Sequence, residues 1–214
     1  MKTRAIIFDL DGVLVFTDKF HYKAWKKIAD KKDIYFDETI NDRLRGVSRM
    51  ESLDIILEKY NGTLTDEEKN ALADEKNKFY KEYLKELTPT DVTDDVRATL
   101  KELKEKGYLI AIGSSSKNAK YILEKVELFK EFDAISDGNN IVNTKPDPEV
   151  FLMAAEYLGV PAGECAVVED AWAGIDAALA AGMIAFGIGS AADYDKCDYT
   201  IEKLGDMMKI LDWF

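Results

Sequence analysis

Two aspartates follow a short apolar stretch near the N-terminus, and their type and spacing suit catalysis. The stretch is residues 5–8, and Asp9, Asp11 and Gly12 come after it. An apolar run with two isoleucines predicts a strand buried on both faces of a parallel sheet. Asp9 would then emerge at the carboxyl end of the strand, where open α/β sheets bind ligands. Because side chains alternate along an extended chain, Asp9 and Asp11 should address one bound group, as a nucleophile and a proton carrier.

Two other interpretations fit an Asp-x-Asp-Gly segment taken alone. A calcium-binding loop needs a bidentate glutamate at its twelfth position, but that position, counted from Asp9, holds Phe20. A solvated turn with two exposed aspartates is the plainer alternative. The pair alone does not separate a catalytic site from such a turn, so the rest of the chain must decide.

Polar residues also follow the later predicted strands, at the ends where those strands should stop. The second strand is predicted at residues 108–112, the third at 132–136 and the fourth at 166–168. Because the carboxyl ends of parallel strands meet at one edge of a sheet, these polar residues should lie near Asp9. They are residues 114–118 after the second strand, Lys145 in the segment after the third, and Glu169 and Asp170 after the fourth.

Together these side chains suit phosphoryl transfer. Serine hydroxyls and backbone N–H groups at the start of a helix bind anions, and Lys145 adds a positive charge. Glu169 and Asp170 beside Asp9 would repel one another unless a hard cation lay among them, so oxygen ligands to Mg²⁺ are expected. A carboxylate nucleophile, a cation, a lysine and an anion-binding turn describe transfer through an aspartyl-phosphate. Each feature alone has a plainer interpretation, as a helix cap or a solvated residue, but their occurrence at successive strand ends favours a site.

Length, composition and charge narrow the class of protein. The chain has 214 residues, is 47% hydrophobic and carries a formal charge of −12, which predicts a globular protein without a basic surface for nucleic acid or anionic membranes. The aspartates interrupt the first apolar run too early for a secretory signal, and no uncharged stretch approaches the roughly 20 residues of a membrane helix. Cys165 and Cys197 lack a CxxC spacing and a nearby histidine, so buried or incidental thiols are expected rather than zinc ligands or a disulfide. We expect a cytoplasmic monomer with no nucleic-acid partner and no membrane partner.

The order of predicted elements divides the chain into two parts. Residues 16–87 have helical periodicity, with Ser48 and Thr65 each opening a capping box. From about Pro89 helices and strands alternate, with further strands predicted at residues 184–188 and 199–201. We therefore predict an α/β fold with a doubly wound, mainly parallel sheet in a core domain and an inserted α-helical cap domain. The core domain comprises residues 1–15 and 88–214, and the cap domain residues 16–87.

Four segments resemble the ordered motifs of the haloacid dehalogenase superfamily of phosphotransferases. They are the segment from Asp9 to Val13, Ser114, Lys145-Pro146 and Glu169-Asp170. The resemblance spans the chain and implies a Rossmann-like core with a cap inserted after the first strand. It implies Asp9 as the nucleophile that carries phosphate, Asp11 as general acid and base, and Ser114 and Lys145 as further catalytic residues. It also implies Mg²⁺ as the cofactor, held by Asp9, Asp11, Glu169 and Asp170.

Residues of the predicted cap resemble the β-phosphoglucomutase family more closely. The matching segments are His21-x-x-x-Trp25, residues 45–53, Lys76-Asn77 and the turn from Ser114 to Asn118. This resemblance implies that Arg49 holds the phosphate that is not being transferred, and that the chain near Thr17 forms a hinge. His21 also has a plainer interpretation, as a hydrogen-bonded core histidine. The implied substrate-binding residues are Thr17, His21, Trp25, Gly46, Val47, Arg49, Ser52, Lys76, Ser115, Ser116, Lys117 and Asn118.

The resemblance implies the interconversion of β-D-glucose 1-phosphate and glucose 6-phosphate through phospho-Asp9 and a 1,6-bisphosphate. A sugar-phosphate phosphatase would use the same Asp9 and Asp11 but transfer the phosphoryl group to water. A phospho-acceptor signalling domain also joins an acidic pair, a hydroxyl and a lysine on a doubly wound sheet, but needs no helical insertion. The sequence departs from the mutase pattern at four positions that bear on specificity: Phe16, Arg45, Ala171 and Trp172.

Overall fold

The strands of the protein form one parallel sheet. The computed structural model describes residues 3–211. Within these residues the sheet has six strands in the order β3-β2-β1-β4-β5-β6, and all neighbours run parallel. The strands are β1 Ala5–Phe8, β2 Leu109–Gly113, β3 Ala134–Ser136, β4 Cys165–Glu169, β5 Ile184–Gly187 and β6 Tyr199–Thr200. The predicted doubly wound α/β fold is confirmed.

Strand β1 lies in the middle of the sheet, and its register with β2 and β4 aligns the carboxyl ends of the three strands. Phe8 pairs with Ile112 of β2 on one side and with Val168 of β4 on the other. Asp9 and Glu169, which follow Phe8 and Val168, therefore come at the same level of adjacent strands. Every residue of β1 is buried, as expected for a strand covered on both faces.

Helices make up much of the remaining structure. In chain order they are α1 Asp18–Lys31, α2 Glu38–Asp42, α3 Arg49–Leu57, α4 Asp66–Leu84, α5 Asp94–Glu105, α6 Ala119–Lys125, α7 Glu149–Leu158, α8 Trp172–Ala180 and α9 Met207–Leu211. The hydroxyls of Ser48, Thr65 and Thr93 accept backbone N–H groups at the starts of α3, α4 and α5. Thr65 completes a reciprocal capping box with Glu68. Among the helices described, none is long and apolar enough to cross a membrane.

Contacts within the chain separate it into two compact units. The α/β unit comprises the residues before Thr17 together with those from Thr88 onward, and the helical unit is Thr17–Leu87. The core of the α/β unit packs β1, β2 and β4 against apolar residues of α7 and α8. The helical unit has its own core, formed by residues of α1, α3 and α4 that include Trp25, Leu53 and Leu72. The interpretation of the helical unit as a cap stays a prediction.

The chain after β1 differs from the expected extended strand. The strand ends at Phe8, so Asp9 and Asp11 are not placed by the alternation of side chains along a strand. A compact turn follows instead, closed by backbone hydrogen bonds from Val15 to Leu10 and from Gly12 to Val15. The glycine has a φ of +88°, a conformation that disfavours residues with a Cβ. The placement of Asp11 relative to Asp9 is therefore set by this turn.

Candidate active site

A buried lysine joins two of the predicted acidic residues. Nζ of Lys145 donates to Oδ1 of Asp9 at 2.5 Å and to Oε2 of Glu169 at 2.7 Å. The lysine is only 1% exposed, and its Nζ lies 4.7 Å from the centroid of the Phe151 ring. A buried ammonium requires such counter-ions, because an isolated charge in an apolar interior is very unfavourable. Lys145 is thus a fixed positive charge beside the predicted nucleophile, and not a solvated loop residue.

Three carboxylates meet at this edge of the sheet. One oxygen from each of Asp9, Glu169 and Asp170 lies within 4.8 Å of the others, and all three residues are buried. If all three are ionised, Lys145 balances only one of their charges. A divalent cation would balance the other two, and Mg²⁺ binds carboxylate oxygens of this kind. The donor set therefore fits the predicted magnesium ion.

The oxygens of Glu169 are already engaged within the protein. Oε2 accepts from Lys145, and Oε1 accepts the backbone N–H groups of Asp170 and Ala171 at 3.1 Å each. Mg²⁺ sites commonly use one or two carboxylates and complete their shell with water and substrate oxygens. Asp9 and Asp170 suit that pattern better than Glu169. Asp11 lies outside the carboxylate group found among residues 3–211, and its place among the metal ligands stays a prediction.

Burial and neighbouring charges shift the pKa values of Glu169 and Lys145. Burial raises the pKa of Glu169 to about 7, while Lys145 acts to lower it and Asp9 adds to the rise. Burial acts to lower the pKa of Lys145, but Asp9 and Glu169 outweigh it and hold that pKa above its usual value. Lys145 therefore keeps its proton at neutral pH and holds Oδ1 of Asp9 in place.

Two glycines allow backbone to approach these carboxylates. A Cβ at Gly12 would lie 2.0 Å from Oδ2 of Asp170, and a Cβ at Gly174 would lie 2.0 Å from Cδ of Glu169. The turn that carries Asp11 therefore packs directly on Asp170, and α8 packs on Glu169. The sequence interpretation did not assign a role to Gly174. The sequence feature that could have identified Gly174 is its place inside a predicted helix, because glycine is unfavourable there unless close packing requires it.

The serine-rich turn after β2 has the geometry of an anion-binding loop that is held by its own hydroxyls. Oγ of Ser114 accepts the N–H of Ser116, and Oγ of Ser116 accepts the N–H of Asn118, at 3.2 Å each. Ser114 is 2% exposed, and its own N–H donates to the carbonyl of Ser136 on β3. Each hydroxyl proton can still be donated to a phosphate oxygen. Ser115 differs, because its buried Oγ has no hydrogen-bond partner among the described residues. Lys117 is exposed.

In the helical unit, several predicted substrate-binding residues meet around Tyr80. Nδ1 of His21 lies 2.8 Å from Nζ of Lys76, and the His21 and Tyr80 rings are 4.1 Å apart. Nζ of Lys76 lies 4.9 Å from the Trp25 ring centroid and 4.6 Å from that of Tyr80. The Tyr80 hydroxyl donates to Oγ1 of Thr17 at 3.0 Å. Sequence reasoning missed Tyr80, although it follows Lys76 by four residues on α4 and so shares its face.

This part of the helical unit is positively charged. The pKa of His21 lies well below its usual value because of burial and of the charges of Lys76 and Arg49. His21 is thus neutral, with Nδ1 accepting from Lys76 and the proton on Nε2. Arg49 is the first residue of α3, and its guanidinium lies 3.8 Å from Asp74. Of the other predicted residues, Gly46 and Val47 precede α3 and Ser52 is buried within it.

Several known proteins are similar to this chain. A model of the haloacid dehalogenase-like hydrolases matches residues 3–182. β-Phosphoglucomutase of Bacillus subtilis (strain 168) is 40% identical over 210 residues, which cover 95% of this chain and 91% of that protein. A phosphorylated carbohydrates phosphatase of Thermotoga maritima is 32% identical over 182 residues, which cover 84% of this chain and 82% of that protein.

A solved structure is similar over the whole chain. The crystal structure of β-phosphoglucomutase from Clostridium difficile superposes with a TM-score of 0.92 and 37% identity, covering 99% of this chain and 98% of that one. The residues matched by the family model include the buried lysine and the three carboxylates. The chain therefore belongs to the haloacid dehalogenase-like hydrolase family.

Proposed function

We propose that this enzyme is a β-phosphoglucomutase, which interconverts β-D-glucose 1-phosphate and glucose 6-phosphate through a 1,6-bisphosphate and a phosphorylated Asp9. The observation that carries the proposal is the pair of positive charges on Arg49 and Lys76, which lie near the neutral His21 in the helical unit. A mutase must bind a second phosphate while the first is transferred, whereas hydrolysis of a monophosphate needs one phosphate site. Similarity to the Bacillus subtilis β-phosphoglucomutase supports the same proposal.

Asp9 is the proposed nucleophile. Lys145 binds its Oδ1, so Oδ2 is the oxygen that attacks phosphorus. The new bond joins Oδ2 to phosphorus, and the bond from phosphorus to the sugar oxygen breaks with its electrons on that oxygen. When the donor is the 1,6-bisphosphate, this step leaves a sugar monophosphate and phospho-Asp9. The phosphoryl group of phospho-Asp9 then passes to the free 6-hydroxyl of β-D-glucose 1-phosphate, which forms the 1,6-bisphosphate and frees the Asp9 carboxylate. Lys145 balances charge at Asp9 throughout.

Asp11 is the proposed proton carrier. Its carboxyl group donates a proton to the departing sugar oxygen and, as a carboxylate, removes the proton from the hydroxyl that attacks phospho-Asp9. Asp9 and Asp170 are the proposed protein ligands of Mg²⁺. When bound, Mg²⁺ would reduce the repulsion between the Asp9 carboxylate and the phosphate. Ser114 and the backbone N–H groups of its turn bind phosphate oxygens.

Arg49 and Lys76 are the proposed ligands of the phosphate that is not being transferred. A guanidinium at the first position of α3 combines its own charge with the backbone N–H groups of the helix start. Lys76 is 2% exposed, and its ammonium lies over two aromatic rings and beside a neutral histidine. A cation held in this way is strongly attracted to an incoming phosphate, because little water screens it.

The product of the reaction tests the proposal. The enzyme is incubated with Mg²⁺, β-D-glucose 1-phosphate and a trace of 1,6-bisphosphate as phosphoryl donor, and the products are followed by phosphorus NMR. The expected result is glucose 6-phosphate without matching release of inorganic phosphate, and no turnover of the α anomer. Release of one phosphate per substrate, with no glucose 6-phosphate, would overturn the proposal.

A second candidate is a sugar-phosphate phosphatase, because a relative of similar coverage carries that description. Arg49→Ala separates the two. For a mutase, we expect turnover to fall about 10- to 100-fold, the loss of a charged hydrogen-bonded contact, while hydrolysis of a simple monophosphate changes little. Arg43→Ala is the matched control, since Arg43 pairs with Glu58 at an exposed position. Equal losses of both activities in Arg49→Ala would favour the phosphatase.

A further inference from the structure

An exposed tryptophan lies beside the candidate active site. Trp172 is the first residue of α8, two residues after Asp170, and it is 57% exposed. Two residues of chain span at most about 7 Å, so the backbone of Trp172 lies close to the carboxylate cluster. Large aromatic side chains are usually buried, and when exposed next to a polar site they commonly contact a ligand.

The ring of Trp172 is held in one orientation. One of its faces stacks on Tyr194, with centroids 4.8 Å apart and planes within 7° of parallel. Its Nε1 donates to the carbonyl of Ser190 at 3.3 Å. The Tyr194 hydroxyl in turn donates to Asp176, which also pairs with Lys196 at 2.8 Å. The second face of the tryptophan ring is thus presented to solvent on a rigid support.

The segment that holds the Trp172 ring also lies beside the carboxylates of the candidate active site. The N–H of Ile188 donates to the carbonyl of Glu169, and a Cβ at Gly189 would lie 3.8 Å from Cβ of Asp170. The segment that fixes Trp172 therefore runs along the same edge of the sheet as the carboxylates. A role in bracing that segment explains the indole hydrogen bond. It does not explain why Trp172 remains 57% exposed.

We propose that the exposed face of Trp172 is a stacking surface for the sugar ring of the phosphorylated substrate. The apolar C–H face of a pyranose packs on an aromatic face, as other ligand rings do, and a pre-oriented ring loses little entropy on binding. The proposal rests on the proposed function for its substrate class, a sugar phosphate. It assigns Trp172 to recognition of the sugar and leaves the phosphoryl chemistry to the residues described above.

Three variants and two substrates test the proposal. Trp172→Ala removes the ring, Trp172→Phe keeps a smaller one, and Tyr194→Phe keeps the stack but removes the hydroxyl. Acetyl phosphate serves as a phosphoryl donor without a sugar. In Trp172→Ala we expect the KM for sugar phosphates to rise about three- to tenfold, as for the loss of one aromatic contact. Trp172→Phe should recover most of that loss, and Tyr194→Phe should lie near the wild type.

Other readouts distinguish recognition from bracing. Hydrolysis of acetyl phosphate and the Mg²⁺ concentration for half-maximal activity should stay within twofold of the wild type in Trp172→Ala. If both change along with the sugar KM, Trp172 acts through Asp170 and the proposal is overturned. An unchanged sugar KM in Trp172→Ala also overturns it.

Direct binding keeps this test independent of the proposed mutase activity. Because Trp25 lies beside Lys76, the measurement uses a Trp25→Phe background. Sugar phosphates should change the tryptophan fluorescence of that protein, and most of the change should be lost when Trp172→Phe is added. If no mutase product forms but this change is seen, the proposed function fails and the stacking surface stands. If glucose 6-phosphate forms but Trp172→Phe shows the full fluorescence change, the stacking surface fails and the function stands.

Discussion

Replacement of Lys145 by methionine should make the stability of the protein strongly dependent on pH. Lys145 is buried and donates to Asp9 at 2.5 Å and Glu169 at 2.7 Å. Methionine fills a similar volume but removes the charge, which leaves two buried carboxylates facing one another. Breaking a buried ion pair by removing one partner typically costs about 3–5 kcal/mol. We expect a loss of that size in the free energy of unfolding at pH 8.

The loss should be smaller at pH 5. The pKa of Glu169 is already raised to about 7 by burial, and without Lys145 the remaining charges raise it further. A carboxyl group whose pKa is raised by folding stabilises the protein below the pKa of the unfolded chain, and that contribution is lost as pH rises through the folded value. Proton uptake by the folded variant should therefore recover about 3 kcal/mol between pH 8 and pH 5, because a pKa raised from 4.5 to about 7 or higher corresponds to a gain in proton affinity of more than roughly 100-fold on folding.

Urea unfolding at the two pH values, with a chelator present, measures both quantities. Lys104→Met is the matched control, because Lys104 pairs with Glu131 at the surface and should change stability by less than about 1 kcal/mol. Lys145→Met combined with Glu169→Gln should be more stable at pH 8 than Lys145→Met alone, since one unpaired charge is gone. A loss below about 1 kcal/mol for Lys145→Met at pH 8, or an equal loss at both pH values, would show that Lys145 does not hold these carboxylates in their charged form.

Two further predictions concern other parts of the chain. Gly12→Ala would place a Cβ 2.0 Å from the Asp170 carboxylate and should abolish Mg²⁺-dependent turnover. Gly107→Ala is the control, because Gly107 has a similar positive φ of +82° but open space around it. This control should lower the free energy of unfolding in urea by only about 1–2 kcal/mol and leave kcat unchanged. The lowered pKa of His21 means that its contribution to stability is present above about pH 6.5 and is lost as pH falls below that value, so His21→Gln should flatten the acid side of the stability profile. An unchanged slope between pH 6.5 and pH 5 would contradict this account of His21.

The sequence predicted the features that depend on local pattern. Apolar runs marked the strands, and the capping residues Ser48 and Thr65 marked where two helices begin. The carboxyl edge of the sheet was predictable because parallel strands place their ends together, so Asp9, Glu169 and Asp170 were expected as neighbours.

Other features depend on packing between distant segments and were not predictable in this way. The sequence suggested a positive charge at Lys145 but not that it is fully buried between two carboxylates. The alternation argument for Asp9 and Asp11 did not anticipate the turn that follows β1. The spacing from Lys76 could have indicated Tyr80, but its contact with the His21 ring depends on the packing of α1 against α4. The expectations of a monomer and of a cytoplasmic location stay predictions.

The central position of β1 has a consequence for how the protein forms during synthesis. Among the described strands β1 is synthesised first, and its partners β2 and β4 begin only at residues 109 and 165. The helical unit has its own core from a continuous segment, so it can fold while β1 is still unpaired. Lys145 follows Asp9 by 136 residues. Asp9 is thus synthesised well before Lys145, Glu169 and Asp170, so chains that end before Glu169 should lack the carboxylate cluster altogether.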